Sequence, residues 1–591
     1  MKKVLRAVCS PIPLLLLLLI GSVPFWPSLH FVPLTSEMPA WIASSASSNP
    51  DWQTWVFQSP HFSWYRPLTA LSYTVTHAMS GLEPLGYRAF DLILHLMAAT
   101  LCMGLLRWLA PSLRKRVLML AVLLFLAHAA TDEVVPFMGR RSFSIAAFFG
   151  LAGLSILTRE VRCVPVERAP AALFFPAVVV GLVFCAGLLS NEGAICFVAV
   201  APLLAWSVAS DRKLPARSWI LPGLIPAALV AGVLAWRYRV LGGLGGASAA
   251  APTDLLADPQ SSSSLMDSVS WLFGAPSLER GLGGAGTVLG YVAVAAGVVL
   301  VLRALLVPIG GPFGRWGDAR ERMRFGLALW IVATLGLFLV SDTWAARHTY
   351  FALAPLALLV ALSLGRTGAP DASSDETPLP ALAKLQGVAA AIVAAALLVG
   401  SPILHGQDSA RCWPERNAVT RNAIGGLNGI ERPVVVHVAI PDFTQGGLFA
   451  GPGAKGAPVP PAARQPVTWA NLVLTERGIE LVDLVYYRLD GGASAFDLER
   501  PDRKAAFVAA PGQDYLLRTG RGVDYVDADG ERRVELLPVP VSPERGVYSL
   551  LVTTEDAKLQ LVRVPIRDET SLGAEYFPPD VIQSLGESDG G

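Results

Sequence analysis

The stretch ATDEVVPFMGRRS (Ala130–Ser142) separates two apolar runs, VLMLAVLLFLAHA before it and SFSIAAFFGLAGLSIL from Ser142 onward. Two acids and two arginines therefore fall within ten residues, between segments apolar enough to lie in a bilayer. A charge at membrane depth is costly, so ionisable groups in such a place usually face a polar cavity. This arrangement predicts a membrane protein with a polar site at one end of its helices.

Apolar runs of this kind recur through the first two thirds of the 591-residue chain, which is 53% hydrophobic and 16% charged. They predict a mainly α membrane protein with about eleven spans. The net charge of +1 gives no electrostatic reason to expect nucleic acid as a partner. The predicted spans are Leu5–Phe25, Tyr87–Leu109, Val117–Ala129, Phe143–Leu157, Ala171–Leu189, Gly193–Val208, Trp219–Trp236, Gly286–Val307, Phe325–Val340, Tyr350–Leu364 and Leu385–Val399.

Lysine and arginine residues cluster in alternate loops, at residues 114–116, 159–168, 211–218 and 314–324. Because positive residues of short loops stay in the cytoplasm, the N-terminus is predicted inside and the C-terminus outside a cell (inner) membrane. Leu5–Phe25 has the basic start of a signal peptide, but no small-residue cleavage site follows, so a retained anchor is predicted. The opening stretch then lies on the outer side.

Composition divides the chain into a membrane domain, residues 1–403, and an extracytoplasmic domain, residues 404–591. The second domain has strand-like runs bounded by turns such as LDGG and ADGE, which predict a mainly β or α/β fold. Residues 26–86 form the first exterior loop, in which Leu68–Met79 is expected to be a helix lying along the membrane. Residues 367–384 are predicted to be a cytoplasmic linker.

Four blocks resemble one family of membrane enzymes. WYRPLTALSYTV with GYRAFDLILHL, LFLAHAATDEVVPFMGRR, FCAGLLSNEGAICFVAVAPLL and DTWAARHTYFALAPLALL follow in this order between about Trp64 and Leu364. They are similar to motifs of polytopic GT-C class glycosyltransferases, in particular bacterial relatives of the tetratricopeptide-bearing O-mannosyltransferases. The resemblance implies transfer of a sugar from a polyprenyl phosphate-linked donor to an extracytoplasmic glycan, lipid or protein acceptor. The matching positions are Tyr65, Arg66, Pro67, His95, His128, Asp132 or Glu133, Arg140 or Arg141, Glu192, Arg347 and Tyr350.

Such a transfer needs a base that takes the acceptor's proton and cations that hold the departing phosphate. Arginine suits the second task because its planar fork binds two phosphate oxygens at once. The candidate bases are Asp132, Glu133, Glu37 and Asp51. The candidate phosphate ligands are Arg66, Arg141, Arg347, Tyr65 and Arg239, and the further cavity candidates are Glu192, Asn191, His348, Tyr350 and Arg140.

Several of these residues also have a purely structural interpretation. Asp132 and Glu133 suit a solvated loop or a helix cap, and Asn191 with Glu192 suits a tight turn between helices. Arg66 suits a contact with a lipid headgroup. The chain has no His/Cys/Asp spacing that specifies a metal, so a divalent cation is left open as a cofactor.

The chain departs from the family's pattern in the first exterior loop. Members carry acidic residues shortly after the first span, where this chain reads LHFVPLTSEMPAW with Glu37 alone and Asp51 further on. Asn191 replaces the usual lysine, and no tetratricopeptide repeats follow the membrane region. One alternative is therefore a non-catalytic relative that binds a lipid-linked glycan or a protein partner. A transporter or lipid flippase is the other, since it would also place ionisable groups in membrane cavities.

Overall fold

The computed structural model describes residues 11–29, 42, 52–58, 65–136, 138–241, 266, 268–306, 319–339, 346–365 and 380–407, and the backbone of strands between 434 and 565. The chain divides into two compact units, residues 1–29 with 44–409 and residues 30–43 with 410–591. The predictions for Glu37, Asp51, the side chain of Glu133 and linker residues 367–379 fall outside the described parts.

The first unit is helical. Each of the eleven predicted spans overlaps one of its helices, and in the described residues seven helices are long and apolar enough to cross a membrane: α4, α6, α8, α9, α10, α12 and α13. The count of eleven spans stays a prediction. The helices are α1 (Pro11–Ser22), α2 (Trp52–Gln58), α3 (Pro67–Ser80), α4 (Pro84–Leu109), α5 (Lys115–Ala127), α6 (Arg141–Cys163), α7 (Phe174–Leu188), α8 (Ile195–Asp211), α9 (Arg217–Leu241), α10 (Ala275–Leu306), α11 (Ala319–Leu339), α12 (Tyr350–Leu364) and α13 (Pro380–Gln407).

Helix α12 lies at the centre of this unit and is buried from Tyr350 to Leu362. Its alanines let neighbouring backbones approach closely, as small residues do in membrane helix bundles. Peripheral helices instead expose large apolar side chains, among them Leu15 of α1, Leu224 of α9 and Val288 of α10. Apolar surface of this extent suits contact with lipid acyl chains. The chain is a multi-pass membrane protein with a mainly α membrane region, as predicted.

The helices alternate in direction, so the loops between them gather at two ends of the bundle. Residues 107–116, 159–168 and 211–217 form one end, here named the basic end. Residues 128–136, 138–141, 190–194 and 346–350 lie at the opposite end, here named the Glu192 end. Which end faces the cytoplasm stays a prediction.

Helix α3 lies across the Glu192 end. The amide of Leu68 donates to the carbonyl of Leu189 (3.3 Å), and the hydroxyl of Thr69 donates to the carbonyl of Ser190 (3.0 Å). Both acceptors belong to the turn that follows α7, so the start of α3 packs on the end of α7. The predicted helix at Leu68–Met79 therefore exists, and its orientation relative to a bilayer stays a prediction.

The described strands of the second unit form a four-stranded sheet in the order β2-β1-β5-β6 and a hairpin, β3 with β4. Strand β1 is parallel to both β2 and β5, and β6 is antiparallel to β5. Whether the unit as a whole is mainly β or α/β stays a prediction. The strands are β1 (Val434–Pro441), β2 (Leu481–Leu489), β3 (Tyr525–Asp527), β4 (Gly530–Arg532), β5 (Tyr548–Glu555) and β6 (Lys558–Pro565). The predicted strands QPVTWANLVLT and KAAFVAA lie outside the described residues.

Candidate functional site

Glu192 is held between two arginines at its end of the bundle. Arg66 donates from Nε to Oε2 (3.2 Å) and from a terminal nitrogen to Oε1 (2.5 Å), which is a two-point contact. A terminal nitrogen of Arg237 lies 3.1 Å from Oε2. The three side chains come from α9, the start of α3 and the turn between α7 and α8, so the fold brings them together from distant parts of the sequence.

The turn that carries Glu192 is fixed by its neighbours. The side-chain oxygen of Asn191 accepts a hydrogen bond from the amide of Gly193 (2.9 Å), and its amide group donates to the hydroxyl of Ser142 (3.1 Å). A Cβ at Gly193 would lie 2.3 Å from the ring of Phe351, so only glycine fits there. Asn191 therefore caps the turn, as the structural interpretation of this residue expected.

Three more predicted residues meet beside this ion pair. His348 is buried, stacks on Phe143 with ring centroids 6.1 Å apart, and lies within electrostatic range of Arg66, Arg140 and Arg347. Guanidinium groups that converge in this way produce a positive potential that attracts anions. The Glu192 end can therefore bind a negatively charged group, and the sequence analysis had named each of these three arginines.

Asp132 lies on a 3-10 turn, Ala129–Glu133, that contacts the turn carrying Arg347. Its Oδ2 lies 2.6 Å from Nδ1 of His405, near the end of α13, and both side chains are largely buried. Nε2 of His405 lies 3.3 Å from the carbonyl oxygen of Ala127, to which it can donate a hydrogen bond when protonated. A proton lies on or between Nδ1 and Oδ2, because two lone pairs at 2.6 Å would repel each other.

His128, which matched the family's third block, holds this turn in place. Its Nδ1 accepts a hydrogen bond from the amide of Ala130 (3.1 Å), and its Nε2 lies 2.9 Å from the carbonyl oxygen of Leu272. The amide of Ala129 donates to the hydroxyl of Ser401 on α13 (3.2 Å). These contacts position Asp132 relative to His405.

Arg141 is fully buried and its donors are occupied by the protein. Its Nε contacts Asp91 Oδ1 (2.6 Å), and its terminal nitrogens donate to the hydroxyl of Thr76 and the carbonyl of Tyr87, both at 3.0 Å. The ring of Tyr73 lies 4.6 Å from its guanidinium carbon. This geometry makes Arg141 a link between α3, α4 and α6, and gives no support to its predicted role in binding phosphate.

The remaining candidates are placed as follows. The hydroxyl of Tyr65 donates to the carbonyl of Phe57 (2.7 Å), so this buried tyrosine joins α2 to the start of α3. The hydroxyl of Tyr350, at the start of α12, lies 2.8 Å from Nδ1 of His95, so this side chain is directed into the helix packing. Arg239 is exposed, and Arg237, two residues earlier, makes the contact with Glu192.

Sequence reasoning missed Arg237 and His405. Arg237 stands in the same RYR run as the predicted Arg239, so the signal was present and the wrong helix face was chosen. His405 lies beyond the predicted end of the last span and matches no family block.

In the described residues no group of three or more His, Cys, Asp or Glu side chains could hold a metal ion, and the divalent cation stays a prediction.

Comparisons with known proteins give one local match. No family model matches the chain. A stretch of 104 residues, 17% of the chain, is 36% identical to Protein O-mannosyl-transferase Tmtc1 from Drosophila melanogaster, and it spans 12% of that protein's length.

Two solved structures align with 73% of this chain and 63% of their own, both with a TM-score of 0.38. They are an archaeal oligosaccharyltransferase, AglB from Archaeoglobus fulgidus, in complex with an inhibitory peptide and a dolichol-phosphate (12% identity), and the Archaeoglobus fulgidus oligosaccharyltransferase in its apo form (13%). At this TM-score the structural likeness supports no conclusion.

Proposed function

We propose that this chain is a membrane glycosyltransferase that transfers a sugar from a polyprenyl phosphate-linked donor to an extracytoplasmic acceptor. The observation that carries the proposal is the contact of two arginines, Arg66 and Arg237, with one carboxylate at the Glu192 end, while Arg140 and Arg347 act electrostatically on the nearby His348. The 104-residue similarity to an O-mannosyl-transferase supports the same reaction class. The motif order between Trp64 and Leu364 resembles that of the same class of enzymes.

The arginines hold the donor's phosphate in this proposal. When the bond between the sugar's anomeric carbon and the phosphate oxygen breaks, the oxygen leaves with the electron pair and its negative charge grows. Arg66, Arg140 and Arg347 stabilise that charge more strongly in the transition state than in the ground state, which lowers the barrier. They lie at a helix-bundle end, where the polyprenyl chain can stay in the membrane while its phosphate reaches the site.

Asp132 takes the acceptor's proton in the same step. The acceptor oxygen attacks the anomeric carbon as its proton passes to the carboxylate, so charge does not accumulate on that oxygen. The contact between the turn that carries Asp132 and the turn of Arg347 supports a single site for the base and the phosphate ligands. His405 acts as a positioning residue because it lies 2.6 Å from the carboxylate and shares a proton with it.

The proposal includes the predicted topology. The N-terminus is cytoplasmic, the Glu192 end faces outward, and the strand-rich unit lies outside a cell (inner) membrane, where it binds the glycan, lipid or protein acceptor. Membrane lipids surround the helices. A reporter active only in the cytoplasm, fused after Gly591, is expected to be silent.

The test uses the purified full-length protein in lipid nanodiscs with a panel of polyprenyl phosphate sugars. We expect the wild type to release polyprenyl phosphate from one of them and to pass the sugar to an acceptor extracted from the cell envelope. Asp132→Asn should lose at least about 100-fold in rate and keep its donor affinity. Arg159→Ala, at an exposed position of the basic end, is the matched control. Donor binding without turnover in the wild type would establish the non-catalytic alternative.

A further inference from the structure

The carboxylate of Glu192 occupies the position that an anionic ligand of Arg66 would take. It contacts Nε and a terminal nitrogen on one edge of the guanidinium, and this edge binds carboxylate and phosphate alike through two parallel hydrogen bonds. Arg237 completes the arrangement from the other side at 3.1 Å. Glu192 is therefore an anion supplied by the chain itself, held in a fork that also fits phosphate.

Within the fork itself, one carboxylate contacts two guanidinium groups, those of Arg66 and Arg237. Arg66, Arg140 and Arg347 also act electrostatically on His348. A phosphate placed here would meet several guanidinium groups, and it carries its charge on more oxygens than a carboxylate does. The attraction for a lipid-linked phosphate therefore exceeds the attraction that a single carboxylate satisfies.

Exposure shows which partner can leave. The side chain of Glu192 is 29% exposed, against 13% for Arg66 and 4% for Arg237, so the arginines stay fixed and the glutamate borders solvent. Its backbone is held by the Asn191 cap and by the contact of Gly193 with Phe351. Rotation about the side-chain bonds of Glu192 can thus vacate the fork without moving the turn.

The geometry points to Glu192 as an internal anion that keeps the Arg66–Arg237 fork closed and is displaced by the phosphate of a polyprenyl phosphate ligand. Removing its charge must then strengthen phosphate binding, although Glu192 lies inside the site. A residue that merely supports the site would have the opposite effect, because its loss would loosen Arg66. The inference rests on the proposed function for the identity of the ligand, and concerns binding only.

The test measures equilibrium binding of polyprenyl phosphate to the full-length protein in nanodiscs, without any sugar donor. Glu192→Gln and Glu192→Ala should bind at least about three-fold more tightly than the wild type, and Arg66→Ala at least about ten-fold more weakly. The control is Asp211→Asn, which removes the partly exposed carboxylate paired with Arg162 at the basic end and should bind like the wild type. Glu192→Ala is included in case the glutamine variant fails to fold.

Unchanged or weaker binding in the folded Glu192 variants would overturn the inference. Inorganic phosphate is the second probe: a gain seen with inorganic phosphate and not with the lipid would overturn polyprenyl phosphate as the ligand. The outcome is separable from the proposed function. Tighter binding in the variants with no sugar transfer in the wild type would reject the reaction alone, and transfer in the wild type with unchanged binding in the variants would reject the internal anion alone.

Discussion

The two ends of the helix bundle use arginine in different ways. At the basic end, Arg162 donates to the carbonyl oxygens of Trp108 (3.1 Å) and Leu109 (3.0 Å), where α4 ends. Arg212 does the same for the end of α6, with a contact of 2.7 Å to the carbonyl of Val164. These arginines satisfy carbonyl groups that have no partner within their helix and complement the negative end of the helix dipole.

At the Glu192 end, carboxylates are the main partners of the arginines, whereas at the basic end the pair of Arg162 with Asp211 adds to the carbonyl contacts. Arg66 and Arg237 share the carboxylate of Glu192, and Arg141 pairs with Asp91. A backbone carbonyl cannot leave its place, whereas a side-chain carboxylate can rotate away and be replaced by another anion. The comparison therefore separates arginines that complete the fold from arginines whose partner an anionic ligand can replace. Arg141 belongs to the first group despite its carboxylate partner, because Arg141 and Asp91 are both fully buried.

The largest effect is expected where a fully buried ion pair is broken. Arg141→Met leaves the carboxylate of Asp91 buried without its partner and should lower the free energy of unfolding by about 3–5 kcal/mol. Denaturation of the protein in mild detergent measures it. The double variant Asp91→Leu with Arg141→Met should recover most of the loss, and a single variant as stable as the wild type would remove Arg141 from the structural group.

The next effect concerns the reaction. His405→Ala should lower kcat by about 10–100-fold with little change in KM, because Asp132 loses the partner that shares its proton. Steady-state kinetics across a range of pH measures both constants, and the pH profile should change shape. Added imidazole should restore part of the rate. A rise in KM with an unchanged kcat would show that His405 acts on binding and not on proton transfer.

A smaller effect is expected at the basic end. Arg162→Ala removes two charged hydrogen bonds to the end of α4 and should lower the free energy of unfolding by about 1–3 kcal/mol, discounted for its partial exposure. The rate per folded molecule should stay the same. A variant that keeps its stability and loses transfer would reverse the assignment of the two ends.

The smallest effect distinguishes two neighbouring arginines of α9. Arg237→Ala should weaken the binding of polyprenyl phosphate, because Arg237 contacts Glu192 in the fork. Arg239→Ala should change the affinity less than about two-fold, because Arg239 is exposed. The same binding assay in nanodiscs compares both variants. A larger change for Arg239 would mean that the ligand approaches from the outer face of α9.

The helices were predictable because a bilayer requires only long apolar runs, and each predicted span overlaps a helix. The loops at the Glu192 end were predictable as a group, since Arg66, Glu192 and Arg347 all lie next to span ends. The choice between Arg237 and Arg239 was not, because two helical residues point about 200° apart and only packing decides which faces inward. The position of His405 beside Asp132 could not be predicted, because it depends on the contact between α13 and a distant turn, and no local sequence pattern indicates that contact.

The affinity for polyprenyl phosphate of two single variants tests the difference between the ends most directly. In nanodiscs of one lipid composition, Arg347→Ala should weaken binding by about ten-fold or more and reduce its dependence on salt, because a guanidinium next to the phosphate is lost. Arg159→Ala, at an exposed position of the basic end, should bind like the wild type. Equal losses in both variants, or no loss in either, would contradict a phosphate site at the Glu192 end.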